Sequence, residues 1–289
     1  MLYFYLLLFI LTCSQCDYIT DQTSKSIPVA NTTGTNFPKN IASDSTTENF
    51  YVAGSFSQSC DFGGTNLTTA AESSAYLAKY NSSLDLLWVV SPSSKTSFES
   101  IAVNSAGDIL AGGYQTGSVD YGGIIRVTNS QQDATLVKYS SNGSIQWAKT
   151  FGITGTHQTS FVSARGNSIA ICTASYQTIN FGGANISSVQ YTDSAVAKFD
   201  SSGNHEFSFG FTGSDGWDDC GGIAIDSSDN LIVSFTSSSA DALLNGTAVG
   251  NSGDRDIIVA SFSTSGSLLW FKRFASQYAE GVYTNGVDS

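Results

Sequence analysis

Three segments of this 289-residue chain return in the same order at a spacing of about 60 residues, and that period restricts the fold more than any other feature. The element CDFGG (Cys60 to Gly64) comes back as DYGG at Asp120 and NFGG at Asn180. Downstream of each lies a second segment: AYLAKYNSSLDLLW ends at Trp88, ATLVKYSSNGSIQW at Trp147, SAVAKFDSSGNHEF at Phe207 and DIIVASFSTSGSLLW at Trp270. Upstream lies the third, SIAVNSAGDILAGGY from Ser100, SFVSARGNSIAICTASY from Ser160 and GIAIDSSDNLIVSF from Gly222, with a degenerate first copy, NIASDSTTENFYVAGSF, from Asn40.

Each unit reads as four short β-rich runs separated by Gly, Asn, Asp and Ser turns, with no helical periodicity between them. Runs A and B flank a tight turn, as do C and D, while a longer connection joins B to C. Four strands per repeat is the content of a propeller blade. Run C carries Tyr76, Ala78 and Tyr80 on one face and Leu77 on the other, and Leu136 and Val196 recur at the latter position. A strand apolar on both faces needs cover on both, which neighbouring blades supply and a two-layer sandwich does not.

The expected fold is therefore all-β, a propeller of four-stranded antiparallel blades at about 37–97, 98–157, 158–218 and 219–280. The terminal NGVDS aligns with IAVNS at Ile101, which makes residues 281–289 the first strand of a fifth blade in an incomplete propeller; the other reading closes a four-bladed ring through that strand. In the repeated Asp-aromatic-Gly-Gly element we expect architecture rather than ligand contact. Asp61, Asp120 and Asn180 close an Asx-turn, Phe62, Tyr121 and Phe181 wedge between sheets, and the glycines adopt positive φ. The fourth copy replaces the element by ADALLNGTAVG from Ala240.

The order of these segments resembles the seven-bladed β-propeller repeat (SBBP repeat) family over roughly residues 40–289. The resemblance implies the propeller fold and an extracellular setting, and it carries over no catalytic residues.

Other features place the chain outside the cell. Leu2 to Leu11 is an apolar run too short to span a bilayer but suited to the core of a secretory signal, so residues 1–16 are expected to be a signal peptide and 17–36 a linker. No integral membrane span is expected in the mature chain. Sequons at Asn31, Asn66, Asn81, Asn142, Asn185 and Asn245 all fall in expected turns or connections and are expected to be exposed. Cys60, Cys172 and Cys220 remain after the signal, with no metal-like spacing; buried thiols are the favoured reading, and one disulfide among the three stays open.

The formal charge is −12, with no basic run to reverse it, so nucleic acid is not an expected partner. The long B-to-C and D-to-A connections are expected on one rim, where binding residues concentrate. The most polar of them, GSDGWDDCGG, offers Asp215, Trp217, Asp218 and Asp219 as candidate binding residues: the carboxylates for calcium, the indole for a sugar ring. No EF-hand spacing is present, no cofactor is expected, and His157 and His205 form no recognisable nucleophile–base set. The expected function is a secreted or cell-surface module that binds a protein or glycan through its long-loop rim, and not an enzyme. The alternative is a propeller hydrolase or lyase using paired carboxylates.

Overall fold

The computed structural model describes residues 34–44, 47–92, 94–188, 191–214, 216–250 and 255–275; the expected signal peptide, most of the expected linker, Asn31, Asp215 and the expected partial fifth blade lie outside them. Among the described residues there are 24 strands and no helix.

Unit 1 consists of β1 (Asn36–Ser43), β2 (Phe50–Phe56), a small hairpin β3 (Ser59–Asp61) and β4 (Asn66–Thr68), β5 (Ser74–Tyr80) and β6 (Leu86–Val90). Unit 2 repeats it with β7 (Thr96–Val103), β8 (Ile109–Gln115), β9 (Ser118–Asp120), β10 (Ile125–Val127), β11 (Asp133–Tyr139) and β12 (Ile145–Phe151). Unit 3 holds β13 (Thr156–Arg165), β14 (Ser168–Tyr176), β15 (Thr178–Ile179), β16 (Ile186–Ser187), β17 (Asp193–Asp200) and β18 (His205–Thr212). Unit 4 holds β19 (Asp218–Ile225), β20 (Leu231–Ser237), β21 (Leu243–Leu244), β22 (Thr247–Ala248), β23 (Asp256–Phe262) and β24 (Leu268–Phe274).

Every unit forms a four-stranded antiparallel meander, as the repeat predicts: β1-β2-β5-β6, β7-β8-β11-β12, β13-β14-β17-β18 and β19-β20-β23-β24. The first strands β1, β7, β13 and β19 lie against one another in sequence, and β7, β13 and β19 each cover the face of the sheet before them. Three of the four apolar cores are accordingly shared between successive sheets. Tyr51 and Leu77 meet Phe98 and Val137, Leu110 and Leu136 meet Ile171 and Phe199, and Cys172 and Phe211 meet Phe235 and Phe262. All of β5 and β11, and β17 up to Phe199, are buried on both faces, whereas β23 alternates buried and half-buried because no fifth sheet covers it among the described residues.

One residue in each first strand drops out of register: Lys39, Glu99, Ser160 and Gly221. This bulge bends the strand locally, and between sheets 1 and 2 the bulged residues meet as a Lys39–Glu99 ion pair at 3.1 Å.

The B-to-C connections differ from expectation. They do not remain on the rim with the D-to-A loops, because each folds back as a small hairpin toward the C-to-D turn of its own unit. Tyr80 donates to the Phe62 carbonyl (3.3 Å), Gly183 lies against the His205 ring, and Asn245 Nδ2 donates to Gly266 O (3.4 Å). Burial of the turn's aromatic drives this return: Phe62, Tyr121 and Phe181 are buried, and Phe181 sits between Phe151 of sheet 2 and Phe199 of sheet 3 at 5.0 and 6.4 Å. The Asx-turn reading holds for the polar position. Asp61 Oδ1 accepts from Gly63 and Gly64 N, Asp120 Oδ1 from Gly122 and Gly123 N, and Asn180 Oδ1 from Gly182 N. In unit 4 an Asn245–Gly246 pair, both at positive φ, makes a two-residue hairpin whose Leu244 pairs with Phe211 and extends sheet 3.

The C-to-D turn and the strand-D aromatic interlock from one unit to the next. Lys79 Nζ and Trp88 Nε1 both donate to Ser141 O (3.1 and 3.2 Å), and one unit later Lys138 Nζ and Trp147 Nε1 both donate to Ser201 O (3.2 and 3.3 Å). Each indole lies on the turn glycine, Gly143 or Gly203, and Phe207 lies on Gly266 in the same way. Trp270 has no following unit among the described residues and is 49% exposed.

Gly266 has φ +84°, and a Cβ there would sit 2.7 Å from the Phe207 ring; Gly64 has φ +99° with nothing within 4 Å. Left-handed strain of about 1–2 kcal/mol is common to alanine at both sites. Gly266→Ala should lose about 1–3 kcal/mol more through the clash, read as a lower urea midpoint than that of Gly64→Ala. Equal midpoints would mean that the aromatic–glycine contact carries no packing constraint.

Candidate functional site

Gly213, Ser214, Gly216 and Trp217 lead into β19 and sit on the rim opposite the tight turns, as expected from their place between strands D and A. Strand alternation then separates the candidate residues. Trp217 precedes β19 and is 53% exposed, with the Arg255 guanidinium 6.0 Å from its ring centre. Its backbone is fixed to the B-to-C connection of the same unit: Trp217 N donates to Ser238 Oγ (2.6 Å), while Ser238 N and Oγ both donate to Trp217 O (3.1 and 3.0 Å).

Asp218 turns the other way and is completely buried, held by the hydroxyls of Ser237 (2.7 Å) and Ser239. Burial raises its carboxyl above the ordinary range, against the pull of those hydrogen bonds. Asp219, on the opposite strand face, is half-buried; desolvation raises it too, and Arg255 partly offsets the shift. Asp218 and Asp219 therefore stand on opposite faces of β19 and do not converge on one ligand position. Asp215 lies outside the described residues. Among those described, no three His, Cys, Asp or Glu side chains are grouped closely enough to hold a metal ion.

The cysteines also differ from expectation. Cys172 on β14 and Cys220 on β19 form a disulfide between sheets 3 and 4, and among the described residues only Cys60 lies outside that bond, buried. Packing of the first strand against the preceding sheet brings the two together across 48 residues, a proximity that their spacing does not reveal.

No family model matches the chain, and no curated protein matches it significantly.

The two histidines have separate structural partners. His157, buried at the start of β13, places Nδ1 2.9 Å from Ser175 Oγ and Nε2 2.9 Å from Thr154 O, and burial lowers its pKa. It is thereby held neutral, with Nε2–H donating to the carbonyl. His205 begins β18, with Nε2 3.0 Å from Ser208 Oγ, and burial lowers it as well. Each ring thus meets one hydroxyl, Ser175 for His157 and Ser208 for His205, and the carboxylate of Glu206 partly offsets the lowering at His205.

Of the sequons, Asn66, Asn142, Asn185 and Asn245 are exposed. Asn81 is half-buried because its side chain closes its own turn, accepting from Ser83 N and Asp85 N (both 2.9 Å) and donating to Asp85 (3.1 Å). Asn142 and Asn245 lie in C-to-D and hairpin turns on the end of the units away from Trp217.

Sequence reasoning missed Arg255, Tyr176 and Tyr191. Arg255 stands immediately before strand C of unit 4, and the repeat signals no cation there. Tyr176 and Tyr191 bracket the third B-to-C connection and are both exposed. Thr192 O accepts from Asp218 N (3.4 Å), which places the Tyr191 segment beside the Trp217 loop.

Proposed function

We propose that this chain is a secreted or cell-surface β-propeller, similar to the SBBP repeat proteins, that recognises a protein or glycan partner through the rim bearing Trp217. Support for the propeller comes from the row of mutually packed first strands, with strands β6, β12, β18 and β24 outermost in each meander. Support for the extracellular setting comes from the apolar run Leu2 to Leu11 and from the Cys172–Cys220 disulfide, a bond that persists in oxidising compartments. Among the described residues no helix is long and apolar enough to cross a membrane.

The observation that carries the binding reading is the set of exposed apolar side chains on that rim: Ile153, Tyr176, Tyr191 and Trp217. Large apolar groups held in water by a rigid scaffold mark interaction sites. The backbone of Trp217 is held by three hydrogen bonds to Ser238, so little backbone entropy is lost when a partner covers its ring. Printed arrays of extracellular glycans and immobilised extracellular protein fractions provide the test. Trp217→Ala should weaken whatever interaction is found by about 10- to 100-fold, the range of a rim aromatic anchor, and Asn142→Gln on the opposite end should leave it unchanged. Binding that tolerates Trp217→Ala and Tyr191→Ala together would refute this rim as the recognition face.

A further inference from the structure

Among the described residues, no sheet packs on the face of sheet 4 that points away from sheet 3, yet that face is built like an interior. Ile232, Ser234, Ile257 and Val259 alternate along β20 and β23 with residues buried against sheet 3, and all four are only half-buried. Trp270 and Phe274, the cross-strand partners of Ser261 and Ile257, stand on the same face and are exposed. In the three preceding sheets the residues equivalent to Val259, which are Leu77, Leu136 and Val196, are completely buried, because the first strand of the following unit crosses them. Val259 keeps the aliphatic side chain without that cover.

One repeated contact fixes how each first strand sits on the sheet before it. The residue just ahead of the bulge (Phe98, Thr159 or Cys220) lies over a small residue of the preceding unit's second strand. Phe98 shares a core with Ala53, a Cβ on Gly112 would be 2.5 Å from both Thr159 and Val162, and Cys220 is bonded to Cys172 with their Cα atoms 6.3 Å apart. Ser234 is the fourth small residue of this series, by the pairing of β20 with β19 and β23. The chain beyond β24 supplies a matching strand. Aligning NGVDS at Asn285 with IAVNS at Ile101 puts Val282 ahead of the bulge position, Tyr283 at it and Asn285 in the place of Val162. The connection also has the right length. From the strand-D aromatic to the bulge residue the chain runs 11, 13 and 14 residues in the three observed passages (Trp88 to Glu99, Trp147 to Ser160, Phe207 to Gly221), and 13 from Trp270 to Tyr283.

We propose that residues 279–288, which lie outside the described residues, pack across this open face of sheet 4 with Val282 over Ser234 and Tyr283 as the bulge residue. Ser234 then sits between Val282 and Asn285, as Gly112 sits between Thr159 and Val162, and its hydroxyl faces the one polar residue that replaces an aliphatic there. The other destination, a ring closed through sheet 1, is poorly shaped for it. Ring closure brings Trp270 onto the C-to-D turn of unit 1, where Leu84 N donates to Asn81 O just as Gly143 N donates to Ser140 O. Leu84, at φ +65°, holds the position of Gly143, Gly203 and Gly266, the glycines on which Trp88, Trp147 and Phe207 lie. A side chain at this position takes the place of the incoming ring.

A designed disulfide in the full chain reads this register directly. Ser234→Cys with Val282→Cys reproduces the Cys172–Cys220 pair one unit later, so oxidation in a glutathione buffer should bridge the two within one molecule, detected by peptide mapping of the monomer fraction. Gly286 takes the place of Ala102, which faces the next sheet, so Ser234→Cys with Gly286→Cys should bridge at least about tenfold less. A second measurement needs no new thiol. Val282→Asp should speed hydrogen exchange of the β20 and β23 amides at least about tenfold, since it drives a carboxylate into an apolar contact, and Gly286→Asp should leave them unchanged. Circular dichroism melting of each variant confirms that it is folded. The proposal falls if the bridge forms only between molecules, which would put a second copy on this face, if the first cysteine pair bridges no more than the second, or if Val282→Asp exchanges like the parent.

Discussion

Replacing Cys172 and Cys220 together by alanine should lower the unfolding free energy by about 4 kcal/mol, the largest effect we expect from any change outside the aromatic core. The bond closes a segment of 48 residues, and the chain-entropy relation assigns a loop of that length roughly 4 kcal/mol at 25 °C through the freedom returned to the unfolded chain. It also joins sheet 3 to sheet 4 by linking β14 and β19, so its loss acts where the two sheets share Phe211, Phe235 and Phe262. Urea denaturation of oxidised parent and double variant gives the comparison, with peptide mapping of the unreduced parent verifying the pairing. A loss under about 1 kcal/mol, or a map joining Cys60 to either partner, would contradict this arrangement.

Phe199→Ala should cost about 3–5 kcal/mol, the usual penalty for emptying a fully buried phenyl site. Phe199 is almost completely buried and touches three rings from different elements: Phe151 on β12 at 5.5 Å, Phe181 in the small hairpin at 6.4 Å and His205 on β18 at 6.1 Å. No one of these groups can fill the space without abandoning the others. Unfolding followed by tryptophan fluorescence should show the loss, with Phe199→Leu recovering most of it. A cost below about 1 kcal/mol would mean that the sheet 2–sheet 3 core relaxes freely, against the close packing of its three rings.

Turn positions and the Asp-aromatic-Gly-Gly turn were legible because each rests on interactions within about ten residues, and strand order because the same four runs recur in every unit. Asp120 reaches Gly122 and Gly123 by local geometry alone, and the positive φ of those glycines follows from the same turn. Two-faced burial of strand C was legible as well, since Tyr76, Leu77 and their repeats stand on opposite faces whatever lies beyond them. The inward turn of Asp218 was not. A run of three Asp around a Trp looks solvated, and only the packing of Ser237 and Ser239 over the first residue of β19 shows which carboxylate is buried.

Local chemistry in the sequence thus determined four antiparallel meanders, their turns and their repeated aromatic positions, because hydrogen bonding and side-chain alternation act over short separations. Tertiary structure alone decided which cysteines meet and that the small hairpins fold back toward the C-to-D turns. Those outcomes depend on how one sheet lies on the next, a relation between residues tens of positions apart that no local pattern specifies.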